Sequence, residues 1–313
     1  MGNRIDLAST LTVSSNYAGK VAGEIIGKAF KEADTIAKGL VTVHPDIDFQ
    51  ESLRKIAYAD GRVDYTCGFA PMGTVTLSEK LLTPKKIKNE LEICKEDLRQ
   101  IWSSASMGFS AHNDSMPSDV EQALIAEILM DTAEAVDADI WQGNSANDGE
   151  FDGFLKLFAA DGNVIKAGSG ITSASTAVTK GTAITELEKV ITAIPIALRR
   201  KNDVNIMVSP DIYNLYMQAL TAAGATYGNG ANGFEVRYGK YVLVEVMGLP
   251  ANTFVAAQKR NLIFGTGLMA DHNELRIKDM DESDLSGQIR YKQVYTAGVQ
   301  YINSEEIVWY LTT

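Results

Sequence analysis

The amino-acid sequence predicts an α+β fold, in which one long helix and a strand–helix unit are combined with antiparallel strands. Three observations support this prediction. The segment 117–142 repeats its apolar residues with the spacing of an amphipathic helix. The apolar run Val204–Val208 is followed immediately by residues that favour a helix start. From Tyr238 onwards, strand-forming runs are separated by turn residues.

Composition limits the class of protein. The chain has 313 residues, of which 45% are hydrophobic and 22% charged, which is enough for two modest cores. The net charge of −11 argues against a nucleic-acid reader, because phosphate binding relies on clustered Lys and Arg. Cys67 and Cys94 are too few for a disulfide framework or a zinc site, and we expect Cys67 to be a small buried residue.

Neither a secretory signal nor a membrane span is expected. The start MGNRIDLAST has no basic region followed by an apolar core. No apolar run approaches the roughly 20 residues that a membrane helix needs. We therefore expect synthesis in the cytosol and no membrane partner.

The first 84 residues are predicted to form an arm and a long loop. Tyr17–Ala37 has the pattern of an amphipathic helix that needs a surface to lie on, and we interpret it as an arm that cannot bury its apolar residues within its own subunit. Within Asp46–Leu82, the pair Asp60-Gly61 is a favoured two-residue hairpin turn. A loop of this length in a compact domain is uncommon and is usually functional. The following basic stretch, GTVTLSEKLLTPKKIKNELEIC, is predicted to be an extended strand pair.

The long helix is predicted to begin at Pro117 with a capping box from Ser118 to Glu121, and Gly143 can supply a left-handed stop. Its predicted exposed positions carry the following acids, with no Lys or Arg between them: Glu121, Glu127, Asp131, Glu134, Asp137 and Asp139. Such a face is either solvated or in contact with a basic partner. The preceding stretch offers Lys80, Lys85, Lys86 and Lys88. Because an exposed ion pair contributes only about 0–1 kcal/mol, repeated pairs would set orientation more than affinity.

The middle of the chain predicts an α/β unit. A helix over Thr185–Arg200 should be kinked at Pro195. Ser209 and Pro210 suit the cap and the first position of the next helix. The last two strand runs, 288–302 and 305–311, are predicted to be an antiparallel pair joined at Asn303-Ser304.

The candidate chemical motifs are weak. GNGANG at 228–233 matches a dinucleotide-binding string, but it follows a helix and precedes a strand, which is the wrong context. The acidic clusters 271–274 and 279–284 could ligate a hard cation, although the second lacks the EF-hand pattern, and solvated loops are the alternative. His44, His112 and His272 lie far apart without a catalytic motif. We predict no catalytic residue, cofactor or metal ligand.

The order of these parts resembles the major capsid protein of tailed bacteriophages, with the Hong Kong 97-type fold. The similarity spans nearly the whole chain, although its motifs are diffuse. It is carried by GTVTLSEKLLTPKKIKNELEICKEDLRQIW, DADIWQGN, VNIMVSPDIYNLY, NLIFGTGLMADHNELRI and QVYTAGVQYINSEEIVWY. The domains that this resemblance implies are an N-terminal arm (1–45), an extended loop or E-loop (46–84), a peripheral domain (85–149) with a spine helix (117–142), an axial domain (150–240) and a return to the peripheral sheet (241–313).

The resemblance implies a structural, non-enzymatic function. The chain would self-assemble into hexamers and pentamers of an icosahedral or prolate head that encloses double-stranded DNA without sequence-specific binding. Expected partners are a portal, a separate scaffold, and decoration or head-to-tail proteins. The protein would be located in the virion capsid after assembly in the host cytoplasm. Residues expected at contacts between subunits are Arg54, Lys55, Tyr58, Arg62, Tyr65, Lys85, Lys86, Asp131, Glu134 and Asp137.

Two alternative functions remain open at the level of the sequence. The first is an encapsulin-like nanocompartment, which has the same fold but holds a cargo enzyme in place of DNA. The second is a soluble, metal-dependent α/β enzyme that uses the acidic loop 271–284. The contents of a purified particle would separate the first alternative from a phage head, and metal-dependent turnover by a monomer would indicate the second.

Overall fold

The computed structural model describes residues 14–18, 25, 26, 30, 33–65, 67, 72–94, 118–222, 236–267, 273–280 and 287–311. The helices are α1 (Asp34–Ala37), α2 (Ser118–Gln142), α3 (Phe154–Ala160), α4 (Ala183–Ala193), α5 (Ile196–Arg199) and α6 (Pro210–Ala222). The strands are β1 (Ser14–Ala18), β2 (Thr42–His44), β3 (Glu51–Ala59), β4 (Thr74–Leu82), β5 (Lys85–Cys94), β6 (Val204–Val208), β7 (Arg237–Tyr238), β8 (Tyr241–Glu245), β9 (Thr253–Gln258), β10 (Leu262–Gly265), β11 (Glu274–Asp279), β12 (Gln288–Tyr301) and β13 (Val308–Leu311).

The strands form three sheets. A six-stranded sheet has the order β1-β11-β12-β10-β2, with β5 also paired to β12. A five-stranded sheet has the order β13-β9-β6-β8-β7. The third sheet is the antiparallel pair of β3 and β4, which we call the hairpin. No helix of the described segments is both long enough and apolar enough to cross a membrane.

The five-stranded sheet separates two hydrophobic cores. In β6, Ile206 and Val208 face a core with α4 and α6, whereas Met207 faces a second core with α2 and the six-stranded sheet. In β9, Phe254 likewise faces the core with α4 and α6, and Val255 faces the core with α2. A strand buried on both faces reads as a continuous apolar run, which explains why the buried strand at 204–208 could be predicted.

The strand–helix unit in the middle of the chain is confirmed. Pro195 does more than bend the predicted helix over 185–200: α4 ends at Ala193, and Pro195 is extended, with ψ of 149°. Its ring and missing N–H prevent the helix from continuing. At the next helix, α6 begins at Pro210 as predicted, but the buried Oγ of Ser209 has no hydrogen-bond partner among the described residues and does not cap it.

The predicted pairing of the two closing strands is wrong. The strand β12 lies in the six-stranded sheet, where β5 and β11 pair with its first part and β10 with its end. The strand β13 pairs with β9 in the other sheet. Since β8 and β9 also belong to that sheet, the segment 241–313 does not return to the six-stranded sheet as one block.

The predicted pairing of β4 with β5 is also wrong. The two strands are joined only by Thr83 and Pro84, and they continue into different sheets. The strand β5 instead forms a ladder with β12 that runs from Lys85↔Ala297 to Cys94↔Gln288. The link Thr83-Pro84 passes close to β12 at Gly298. A Cβ at Gly298 would lie only 3.0 Å from the Cα of Pro84, so a residue without a side chain suits this position.

The arm prediction is wrong for the described residues between 25 and 41. Ile26, Phe30 and Leu40 are buried in the core of their own subunit. Tyr17, expected at a helix start, lies in β1, where its backbone is paired in register with Leu275 of β11. The ladder between β1 and β11 stabilises an extended backbone against a helix pattern that Gly residues weaken.

The long helix is confirmed, with α2 covering Ser118–Gln142. Gly143 has no positive φ, so it is not a left-handed stop. Glycine is required here for a different reason. The backbone at Phe151 passes so close that a Cβ at Gly143 would lie 2.3 Å from the carbonyl oxygen of Phe151. The capping box falls on side chains outside the described part of the chain.

Candidate interaction surface

The hairpin is longer than the sequence predicts. Its ladder runs from Glu51↔Leu82 to Ala59↔Thr74, so Asp60-Gly61 is not a two-residue turn but the start of the connection 60–73. The Asp60 carboxylate accepts hydrogen bonds from the backbone N–H of Arg62 at 3.1 Å and from its guanidinium group. A Cβ at Gly61 would lie 2.5 Å from the backbone nitrogen of Gly73. The two glycines therefore allow the segments that leave β3 and enter β4 to lie close together at the start of the loop.

One side of the hairpin is apolar and uncovered. The register places Ile56 opposite Leu77 and Tyr58 opposite Val75, and residues two apart on a strand share a side. We call these four side chains the apolar face. Each of them is between 60% and 71% exposed. A contiguous exposed patch of large apolar side chains indicates an interaction surface.

The other side of the hairpin anchors its base to the subunit. Leu53 and Leu82 are buried against Ile47 and Ile263. Nearby, the Lys55 ammonium group donates a hydrogen bond to Oδ1 of Asn303 at 2.8 Å. The base therefore has a fixed position, while the outer part carries the apolar face away from the two cores.

A second anchor joins Lys80, Asp161 and Tyr301. The Lys80 nitrogen lies 3.0 Å from Oδ2 of Asp161 and 3.5 Å from the centre of the Tyr301 ring. The Tyr301 hydroxyl group donates to the same carboxylate at 2.9 Å. Partial burial raises the pKa of Asp161, but the N–H of Asn163, the Lys80 ammonium and the Tyr301 hydroxyl outweigh it and bring that pKa down to about 2.

We predict that Asp161→Asn loosens the base of the hairpin. Because the folded-state pKa lies below the usual 3.8, the charged form stabilises the fold above pH 4, and this contribution is lost as the pH falls towards 2. After allowing for partial exposure, we expect a loss of about 1–2 kcal/mol at pH 7. Urea unfolding at pH 7 and at pH 2.5, at equal ionic strength, measures it.

The matched control for this prediction is Glu79→Gln. Glu79 lies on the opposite side of the hairpin, 3.9 Å from Arg54 in an exposed ion pair, which should contribute about 0–1 kcal/mol. Equal losses for the two variants, or a loss for Asp161→Asn that persists unchanged at pH 2.5, would contradict the assignment.

The residues predicted at subunit contacts have different positions. Tyr58 lies on the apolar face, Tyr65 is 93% exposed in the connecting loop, and Lys86 is exposed without a partner in the part of the chain described. Lys85 instead donates hydrogen bonds to the carbonyl oxygens of Ser145, Asn147 and Glu150 in its own subunit. The remaining hairpin cations are paired internally: Arg54 with Glu79, Lys55 with Glu305, and Arg62 with Asp60.

The acidic face of α2 is narrower than predicted. Glu127, Asp131 and Glu134 are exposed, and none of them has a partner among the described residues. Asp139 is partly buried, and burial together with the charge of Glu150 raises its pKa to about 6. Glu121 falls outside the described side chains.

Asp137 is buried inside the subunit, so its predicted exposure is wrong. It is 4% exposed, and its Oδ1 accepts a hydrogen bond from the Thr35 N–H at 2.7 Å. The Thr35 hydroxyl in turn accepts from Nε1 of Trp141 at 2.8 Å. Burial raises the pKa of Asp137, and hydrogen bonds from Thr35 and from the Gly248 backbone oppose this. The sequence contains one signal for this position, because Ala133, Asp137 and Trp141 follow at four-residue spacing on the buried stripe.

Cys67 is exposed in the loop of the hairpin, so the prediction of a buried residue is wrong. Cys94, at the end of β5, is exposed as well.

The predicted acidic clusters are described only in part. Asn273 is buried and donates a hydrogen bond to the carbonyl oxygen of Gly267 at 2.7 Å, and Glu274 forms ion pairs with Arg276 and Lys292. His112, the GNGANG segment, residues 271–272 and residues 281–284 lie outside the described residues. Within the described ranges, no group of three or more His, Cys, Asp and Glu side chains could hold a metal ion.

Sequence reasoning missed Ile56, Val75 and Leu77 as surface residues. Apolar residues that alternate along two neighbouring strands normally predict a side packed against the core. Only the register shows that all three share one side with Tyr58.

No protein-family model matches the chain, and no curated protein matches it in sequence. Solved structures match over most of the chain. A structure of the satellite phage P4 procapsid including its size-determination protein has a TM-score of 0.59 at 11% identity, covering 93% of this chain and 99% of that one. The capsid of a native GTA particle has a TM-score of 0.58 at 12% identity, covering 90% of each chain.

A virus-like particle from Pyrococcus furiosus is also similar, with a TM-score of 0.51 at 7% identity, covering 93% of this chain and 98% of that one. At these identities the likeness concerns the fold. The chain therefore has the Hong Kong 97-type fold that its sequence predicted.

Proposed function

We propose that the chain is the major capsid protein of a tailed phage and that the apolar face of the hairpin binds a neighbouring copy. The observation that carries the proposal is a hairpin fixed at its base, with four large apolar side chains uncovered, on a capsid fold. An isolated two-stranded hairpin is marginally stable in water. Cover from a neighbour stabilises both the hairpin and the assembly.

Repeated copies of this contact build the shell. The hairpin of one subunit meets a different surface of the next, and such heterologous contacts close into rings, which accounts for hexamers and pentamers. A stable interface buries about 1,600 Å² in total, so the hairpin contributes alongside contacts from the body of the subunit. Small differences in the bend of the hairpin beyond its anchored base would let one sequence adjust to both kinds of ring.

The negative net charge of the chain is consistent with a shell that encloses DNA. A net charge of −11 disfavours strong binding of the genome to the shell, which is consistent with enclosure without sequence-specific contacts. In this proposal the function is structural and not enzymatic. The subunit assembles in the host cytoplasm with a portal and a separate scaffold, and it resides in the virion with decoration or head-to-tail proteins.

A second candidate is a shell that holds protein cargo, as in encapsulins. The similarity to the virus-like particle from Pyrococcus furiosus supports this second candidate, because a protein of the same fold forms that particle. The two functions differ in contents. Nuclease-protected DNA in particles from the native source indicates a phage head, and a co-purifying enzyme indicates a compartment.

The direct test is the assembly state of the purified full-length chain. Sedimentation velocity over a range of concentrations and negative-stain electron microscopy should show rings of five or six subunits, or closed shells. A monomer at every concentration, with the apolar face protected within its own subunit, would contradict the proposal.

A further inference from the structure

One side of the six-stranded sheet carries a surplus of positive charge. The register places the even-numbered residues of β5, β11 and β12 together on this side, which we call the basic side of the sheet. Within the described ranges, its charged residues are six cations and three acids: Lys86, Lys88, Arg276, Lys278, Arg290 and Lys292, with Glu90, Glu92 and Glu274. This local charge is opposite in sign to the net charge of −11 of the chain.

The basic side is turned away from the body of the subunit. On the other side of β12, the side-chain oxygen of Gln293 lies 3.3 Å from the Thr132 hydroxyl of α2. Because successive side chains of a strand point to opposite sides, Arg290 and Lys292 point away from α2. Lys292 is partly exposed, and the other five cations are exposed.

The register also sets like charges against each other. Arg276 lies opposite Lys292, and Lys278 lies opposite Arg290. Like charges directly opposite each other on neighbouring strands destabilise a sheet. Glu274 offsets the first pair through ion pairs with Arg276 and with Lys292, whereas Lys278 has no ion pair within the described ranges. An anionic surface docked on this side would offset the remaining repulsion.

The exposed acids of α2 form a surface of complementary charge. Glu127, Asp131 and Glu134 follow at four- and three-residue spacing, so they lie along one line of the helix, which we call the acidic stripe. At a rise of 1.5 Å per residue, the stripe is about 10 Å long. Three strands at a spacing of about 4.8 Å also span about 10 Å, so the stripe has the length to cross β11, β12 and β5.

The two surfaces cannot meet within one subunit. The buried residues Ile128, Val136 and Ile140 mark the side of α2 that faces the core, and the acidic stripe lies on the opposite side of the helix. The basic side lies beyond the sheet against which α2 packs. A contact between the two surfaces therefore joins two copies, and such a heterologous contact repeats from copy to copy.

We propose that the basic side of the sheet binds the acidic stripe of α2 of a second copy. One cation from each strand lies along the line of the stripe: Arg276, Lys292 and Lys88. This inference rests on the proposed self-assembly and adds a contact separate from the hairpin. Exposed ion pairs are individually weak, so this contact sets the orientation of neighbouring copies more than their affinity.

The charge pattern favours a second copy over nucleic acid. Glu90 and Glu274 lie among the cations, where a phosphate backbone would meet them. DNA is stiff over about 500 Å, so a duplex would extend beyond the basic side and meet the acids elsewhere on the chain. The acidic stripe ends after about 10 Å, and exposed charges farther away than about 8 Å are largely screened at physiological salt.

Self-association of a subunit that lacks the hairpin contact tests the proposal. The background is the full-length chain with Ile56→Ser and Leu77→Ser, measured by sedimentation velocity over a range of concentrations. We expect small oligomers at about 50 mM salt and their loss at about 500 mM salt, because exposed charge contacts are screened.

Charge reversal then identifies the two surfaces. The stripe variant adds Asp131→Lys and Glu134→Lys to the background, and the sheet variant adds Lys88→Glu and Lys292→Glu. Each should self-associate at least about tenfold more weakly, because like charges then face each other. The chain that carries all four reversals restores the complementarity, so its affinity should return to within about threefold of the background.

The matched control reverses two exposed acids outside α2, Asp48→Lys and Asp148→Lys, and changes the net charge as the stripe variant does. It should not weaken self-association. Thermal unfolding by circular dichroism shows that every variant is folded.

Four results would overturn the proposal. They are equal weakening by the stripe variant and the control, no recovery in the chain with all four reversals, equal self-association at the two salt concentrations, and binding of a short DNA duplex that only the sheet variant loses. The last result would make nucleic acid the occupant. Shell formation by the chain with an intact hairpin is scored separately, so failure here leaves the capsid proposal standing.

Discussion

Replacing Ile56 and Leu77 together with Ser is expected to yield a folded, soluble subunit that no longer forms rings or shells. The two side chains face each other across the hairpin and are largely exposed, so the isolated subunit loses little packing. In an assembly, each large aliphatic side chain that becomes covered contributes about 1.5–3 kcal/mol. In the proposed assembly every subunit makes the same contact, so the loss would recur around each ring. Sedimentation velocity measures the assembly, and thermal unfolding measures the subunit.

The control for this prediction uses the opposite side of the same hairpin. Ala57 faces Thr76 in the register, one residue along from the apolar pair, and both can be replaced with Ser. This variant should assemble like the wild type, since small side chains leave little area to cover. Shells formed at normal concentration by the Ile56 and Leu77 variant would show that the apolar face is not the contact.

Gly248→Ala is expected to destabilise the subunit by about 2–4 kcal/mol, as overpacking against a rigid backbone does. A Cβ at Gly248 would lie 2.3 Å from the carbonyl oxygen of Asp137 and 2.8 Å from Cδ1 of Trp141. The Gly248 carbonyl also accepts a hydrogen bond from Nε2 of Gln142 at 2.8 Å. The substitution therefore pushes the turn after β8 away from the end of α2. Urea unfolding of the purified subunit measures the change.

Gly162→Ala is the matched control for Gly248→Ala. No atom lies within 4 Å of a Cβ at Gly162, and its φ is not positive, so the change should be neutral or slightly stabilising. If both variants unfold at the same urea concentration, the close approach of α2 to the turn after β8 does not support the fold.

The hairpin shows where sequence reasoning reaches its limit. The strand patterns of β3 and β4 are visible, but the favoured Asp60-Gly61 turn led to a short hairpin, although the chain does not reverse there. Turn propensity is a local preference, whereas the ladder is decided by which two strands form the better set of cross-strand pairs. The pairing of Tyr58 with Val75 gives the loop its length and creates the apolar face.

The same limit explains why the burial of Asp137 was not predicted. A carboxylate on a long helix is expected in water, because burying an unpaired charge is costly. Here the cost is reduced by Thr35, which is distant in sequence and reaches Asp137 only because α1 packs beside α2. No pattern within α2 itself reveals that contact.

The sequence by itself determined the α+β class, the extent of α2, the buried strand β6, the break at Pro195 and the likeness to capsid proteins. These features depend on local periodicity and backbone chemistry, which a linear chain displays directly. Only the tertiary structure decided which strands pair, that residues near Phe30 pack into their own subunit, and that the apolar face is exposed on the described hairpin. Those outcomes follow from competition among distant segments for the same partners, and that competition is settled in three dimensions.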